Sequence, residues 1–140
     1  EREELIRFWD SLGKPVFVLT GDLHNSFAIK ITDRVWEFAS GPHNSRNHQA
    51  SSEAGRPANG TFEWHGRKSE IRWSSYMRDD VPAELSRQPV YTVVQVNNVF
   101  NNPVEKGKPR WVTFPHPQVI FQYYDGFTGN LPYAESIVAP

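Results

Sequence analysis

Residues 16–25 read VFVLTGDLHN, and no other stretch restricts the fold as much. Val16, Phe17, Val18 and Leu19 follow Pro15 as an apolar run without polar alternation, and the small polar turn at 21–25 closes it. A strand apolar on both sides of its pleat reads as one covered on both faces, the usual situation in α/β proteins. Upstream, Leu5, Ile6, Phe8, Trp9 and Leu12 recur at three- and four-residue spacings, with Glu1, Glu3 and Glu4 in the first turn and Gly13 beyond the last. That spacing predicts a short amphipathic helix ending at Gly13. One short helix covers one face of the strand only. The other face needs cover from elsewhere, so the isolated chain is expected to associate with itself or with an upstream half of the same protein.

Past the turn, 27–31 and 34–39 read as two strands joined through Thr32 and Asp33 as a hairpin. The chain then changes character. From 40 to 60 it is rich in Asn, Ser, Gly, Pro, His and Arg and nearly free of large apolar groups. A stretch of about 20 residues without periodicity inside a compact domain reads as a functional loop or as disorder. Strand character returns at 61–64 and 70–76, breaks between Pro82 and Pro89, and resumes at 90–96, 111–114, 119–124 and 133–138. The proline and glycine punctuation of this last third predicts a β-meander rather than a βαβ repeat. The whole is one domain, or one part of a larger domain, with a strand-rich α/β character.

Composition narrows the function classes. Fifteen Lys and Arg against sixteen Asp and Glu leave a net charge of −1, which offers no electrostatic basis for nucleic acid as a stable partner. The interleaved Trp64, His65, Arg67, Arg72, Trp73, Tyr76 and Arg78 could stack on bases, but aromatics at strand spacing more often belong to a core. No apolar run approaches the roughly 20 residues of a membrane-spanning helix, and no membrane partner is expected. The absence of cysteine excludes a disulfide framework, thiolate metal ligation and a cysteine nucleophile. No Gly-rich phosphate loop or nucleophile elbow is present, His116 between Pro115 and Pro117 carries no assigned role, and the sequon at Asn59, Gly60 and Thr61 has meaning only in a eukaryotic secretory setting.

Chemistry therefore concentrates at 21–25, at the carboxyl end of the apolar strand, where α/β sheets place their ligands. Asp22 and His24 are two apart, so they share a side when extended and can converge on one ion in a turn. A carboxylate oxygen with an imidazole nitrogen suits a divalent ion such as Zn, Mn or Fe. The same spacing also occurs where Asp merely caps a turn and His is an ordinary loop residue. In the polar loop, His43, Arg46 and His48 with Asn44 and Asn47 could close over a phosphate, Arg as a forked donor and the amides as further ones, or could simply face water, and a metal site made from His43 and His48 is a further reading.

The run VFVLTGDLHNSFA, the hairpin VWEFASGP, and later YTVVQVNN and VIFQYYDGFTGNLPY resemble the C-terminal portion of PhoD-like (alkaline phosphatase D type) phosphoesterases, a branch of the calcineurin-like metallophosphoesterases. The likeness touches most of the chain, and GDLH is its specific part. It implies the C-terminal part of a four-layer α/β/β/α sandwich with a β-meander tail, and metal ligation by Asp22 and His24; Asn25, His43 and Arg46, read from the turn and the polar loop, are the residues expected to contact substrate. It further implies two divalent ions (Zn, Mn, Fe or Ca), a phosphate monoester or diester as substrate, and export to the periplasm or cell exterior. The superfamily's other ligand motifs, an Asp-x-His pair, a Gly-Asp-x-x-Asp segment and an Asn-His followed by Asp or Glu, lie upstream in that pattern and have no counterpart here. Asn47 and His48 form an Asn-His pair, but Gln49 follows them and they come after GDLH. Two ligands cannot close a site needing about six to eight, so the isolated chain is expected to be inactive or nearly so. The rival expectation is a noncatalytic β-rich binding domain that keeps the turn without the metal.

Overall fold

The computed structural model describes residues 1–41, 47–48, 57–75, 89–105 and 108–139. Helix α1 (Arg2–Ser11) leads into β1 (Val16–Thr20), followed by β2 (Phe27–Lys30), β3 (Val35–Ala39), β4 (Gly60–Trp64) and β5 (Arg67–Ser74). These five strands form one sheet in the order β1-β3-β2-β5-β4. The remaining strands, β6 (Val90–Glu105), β7 (Lys108–Asp125) and β8 (Tyr133–Val138), form a second, antiparallel sheet in chain order, the expected meander. Strand-rich character, the leading helix and the 27–39 hairpin follow the sequence reading.

Period-two alternation distributes side chains to the two faces of the first sheet. Phe27, Ile29, Val35, Ala39 and Ile71 point to one side, where Ile6 of α1 joins them and Trp9 packs against the group. Ala28, Trp36 and Phe38 point to the other, where they meet Val90, Phe121 and Tyr123 of the second sheet. The layers are therefore helix, sheet, sheet. The ring of Phe38 stacks on Phe121 with centroids 3.5 Å apart, and Trp73 stacks on Tyr133 at 5.5 Å. Tyr123, fully buried, donates its hydroxyl proton to the Phe27 carbonyl at 2.7 Å, and burial pushes its pKa well above the ordinary phenol value.

Three local readings are corrected by the structure. The apolar helix positions split: Ile6 and Trp9 face the sheet, whereas Leu5, Phe8 and Leu12 are 45%, 59% and 49% exposed. The helix is held on its opposite flank, Glu3 by Arg67 and Asp10 by the Thr32 hydroxyl at 2.6 Å, so the sheet reaches only part of its apolar arc. Strand β1 has both faces covered, but the second cover comes from the chain's own second sheet: Val16 packs on the helix side and Phe17 against Phe38 and Phe121; among the described residues β1 lies at the edge of its sheet and pairs with β3 alone, in parallel, and Leu19 is 63% exposed. The segments 111–114 and 119–124, expected as two strands, belong to the single strand β7. Its pairing with β6 jumps from Asn97↔Gln118 to Val99↔Thr113, and Pro115 and Pro117 fall inside that bulge, where no ladder bond is lost to their missing N–H.

The stacked ring pair gives the two-sheet core a direct test. Phe121→Ala should destabilise the fold by about 3–5 kcal/mol, while Phe127→Ala, at a site 71% exposed, should stay within about 0.5 kcal/mol. Urea unfolding of both variants decides it, and equal small losses would mean that the sheets do not share a core.

Candidate functional site

The 21–25 turn stands where the backbone topology crosses itself. Strand β1 ends at Thr20 beside Ala39, the end of its parallel neighbour β3. To reach β2, which lies beyond β3, the chain must pass over the carboxyl end of β3. The segment leaving β3 then runs directly beneath that crossover. Ser40 N–H donates to the Thr20 carbonyl at 3.0 Å, and Gly41 N–H donates to the Ser26 hydroxyl at 2.8 Å. A Cβ on Gly41 would lie 2.5 Å from the Asn25 carbonyl carbon and 2.9 Å from the Ser26 nitrogen, so only glycine fits.

Further bonds fasten the turn to β5 and its exit. Ser26 N–H donates to the Ser75 hydroxyl at 2.7 Å, and Ser75 N–H donates to the Ser26 carbonyl at 2.8 Å. Asn25 is fully buried, its amide nitrogen 3.5 Å from the Ser74 hydroxyl and its Oδ1 without a hydrogen-bond partner. The anchored, buried half of the turn leaves its other half exposed: Asp22, Leu23 and His24 all face solvent. A buried base with an exposed acid and imidazole is a rigid presentation of two polar groups.

Residues 47 and 48 come back to this point. His48 N–H donates to the His24 carbonyl at 2.8 Å, and the two imidazole rings stand 5.2 Å apart, tilted by 40°. Asn47 is 4% exposed, with neither its amide nitrogen nor its oxygen partnered. His43 and Arg46, loop residues expected to contact phosphate, lie outside the described residues. Asn25, the third, sits beneath the turn rather than on its surface.

These donors fit part of a divalent-metal site. Imidazole nitrogens and a carboxylate suit Zn, Mn or Fe, and the orphaned amide oxygens of Asn25 and Asn47 are the kind of oxygen that Ca accepts. Among the described residues no group of three His, Cys, Asp or Glu side chains gathers closely enough to hold an ion. The described residues thus hold fewer donors than a closed coordination shell needs. The cavities of about 410 and 510 Å³ lie at the other end of β1 and the hairpin, lined by Asp10, Lys30 and Glu70 in one case and by Pro15, Phe17 and Val96 in the other.

Comparison with protein-family models, with curated proteins and with solved structures finds no match to this chain. The site's reading accordingly stands on its own geometry. Sequence reasoning places His48 with His43 and Arg46 over a phosphate and does not count the Asn47–His48 pair as a ligand motif, because Gln49 follows it and it comes after GDLH; it gives no pairing of His48 with His24 and no signal for Ser26 or Ser75 as the clamp beneath the turn. The Ser-Gly-Pro that ends the hairpin was the one visible cue, since a glycine directly after a strand often marks a close backbone approach.

The crossing generates a prediction of its own. Gly41→Ala should cost about 2 kcal/mol or more through backbone overpacking, and Ser26→Ala about 1–3 kcal/mol by orphaning a buried N–H. In hydrogen-exchange measurements both should loosen the amides of 24–26 before those of β7.

Proposed function

We propose that this chain is the C-terminal part of a metal-dependent phosphoesterase of the PhoD-like type, hydrolysing phosphate monoesters or diesters, with Asp22 and His24 as metal ligands. The observation that carries the reading is the GDLHN turn: it lies at the carboxyl ends of a parallel strand pair, is braced from beneath by Gly41, Ser26 and Ser75, and presents an acid and an imidazole to solvent. The helix, sheet, sheet layering is compatible with three layers of a four-layer sandwich.

Two divalent ions, when bound, would lower the pKa of a coordinated water from about 16 to about 7 and neutralise charge on the phosphate. The chain's own residues have a positioning task. The Asn25 and Ser26 anchors prevent the turn from tilting, so that the Asp22 carboxylate and His24 ring meet their ions without reorganisation. Asn25 acts on the substrate only through the turn that it supports, whereas His43 and Arg46 are assigned to the phosphate itself as donors.

The open edge of the first sheet supports an upstream partner segment. Val94 and Val96 point to the same face of the second sheet as the buried Phe121 and Tyr123, by their pairing with Phe121 and Val119. Yet Val94 and Val96 are 40% and 66% exposed. Strand β6 therefore runs from the core at Val90 to Val96, which faces Phe17 of the edge strand β1 only across a cavity of about 510 Å³. A further strand on the free edge of β1 would lie under these valines and cover Leu19, and the upstream half of the same protein is the segment we assign there.

The test uses the longest polypeptide that the gene encodes, assayed with Zn, Mn, Fe and Ca on p-nitrophenyl phosphate and bis(p-nitrophenyl) phosphate. Hydrolysis that falls by about 100-fold or more in His24→Ala and Asp22→Asn is expected, with the 140-residue chain alone nearly inactive and self-associating in sedimentation. A full-length protein that hydrolyses neither ester with any of these ions refutes the phosphoesterase reading and leaves the noncatalytic β-rich binding domain. A compact monomer of the isolated chain at high concentration removes the open-edge argument.

A further inference from the structure

Two histidines far apart in sequence meet at this turn. We infer that His24 and His48 are joint ligands of a single divalent ion, so that a residue 24 positions further along the chain completes the pair. Ring spacing is the first argument. An imidazole nitrogen sits about 2.1 Å from a bound zinc-like ion, which puts the ring centre about 3.2 Å away; two such rings at a tetrahedral angle have centres about 5.3 Å apart. The two rings here stand 5.2 Å apart.

The backbone supplies the second argument. The His48 N–H to His24 carbonyl bond at 2.8 Å fixes the two residues side by side independently of their side chains, so the pairing does not rely on ring contact. Preorganised ligands of this kind bind an ion without first paying a loop-ordering cost. A flanking polar pair stands next to the two histidines in sequence. Asn25 follows His24 and Asn47 precedes His48, each is at least nine-tenths buried, and each has an amide oxygen without a hydrogen-bond partner. Buried amide oxygens are seldom left unsatisfied in a native protein, so the two residues mark unspent polar capacity next in sequence to both histidines. The role of that ion in phosphate chemistry rests on the phosphoesterase reading; its ligation by both histidines rests on this geometry alone.

Cobalt(II) alone is the probe, titrated into the chain and its variants and read by its visible absorption and by chelator competition. His24→Ala and His48→Ala should each weaken Co(II) binding by about 100-fold or more, a loss at least as large as those produced by altering a metal site's outer shell. His116→Ala, at an exposed site on β7, should leave it unchanged. Imidazole nitrogen resonances of His24 and His48 should move together on zinc addition. Because His48→Ala keeps the backbone N–H, its thermal unfolding in the absence of metal should match that of the parent, which separates ligand loss from unfolding. Wild-type Co(II) affinity in His48→Ala, or no Co(II) binding by the parent, overturns the joint ligation. Joint ligation with no ester hydrolysis by the full-length protein would instead overturn only the phosphoesterase reading.

Discussion

The passage of one backbone segment beneath another is the constraint from which the candidate site derives. After β3 the chain exits under the Asn25–Ser26 peptide with no room for a side chain at Gly41. That contact follows from topology: β1 and β3 are parallel neighbours while β2 lies beyond β3, so the β1–β2 connection must bridge the end of β3. A bridge over a strand end would be a loose loop if it were only solvated. Here Ser26 serves as hydrogen-bond hub, accepting from Gly41, donating its N–H to Ser75 and accepting the Ser75 N–H in return. Burying these polar groups costs little because each finds a partner.

The crossing in turn depends on a sheet that cannot shift. Strands β2 and β3 are buried on both faces, by α1 with its neighbours on one side and by Phe121 and Tyr123 on the other. The Tyr123 hydroxyl bonded to the Phe27 carbonyl ties the second sheet to the residue immediately after Ser26. Core and site are thereby coupled through one step of backbone. At the far flank Arg72 of β5 reaches Glu135 of β8 at 3.1 Å, a partly exposed ion pair that aligns the two sheets but adds modest stability.

Much of the architecture was legible from periodicity. The hairpin, the leading helix and the β-rich last third all carry strong local patterns, and Gly13 with its φ of 68° ends the helix as a left-handed residue should. Less was legible where covering partners decide the outcome. Leu5, Phe8 and Leu12 are as apolar as Ile6, and no local rule distinguishes the arc that meets the sheet from the arc that does not. Likewise Val16 to Leu19 reads as a central strand, because the apolar run encodes the need for cover and is silent on whether a neighbour stands at its second edge. The prolines of β7 mislead for the same reason: they break a ladder only if their N–H positions face a partner, and the bulge opposite Asn98 removes that partner.

For the candidate site, the amino-acid order alone determined that an acid, an imidazole and an amide follow an apolar strand, because those types and spacings are local facts. Tertiary structure decided which of them is exposed and which supports: Asn25 went under the turn, Asp22 and His24 went outside. It also decided that His48, 24 residues further along, stands against His24. A long polar loop carries no periodic signal for where it lands, since its placement depends on backbone bonds such as that from His48 to His24, which form only once strands β1 to β3 have fixed the crossing.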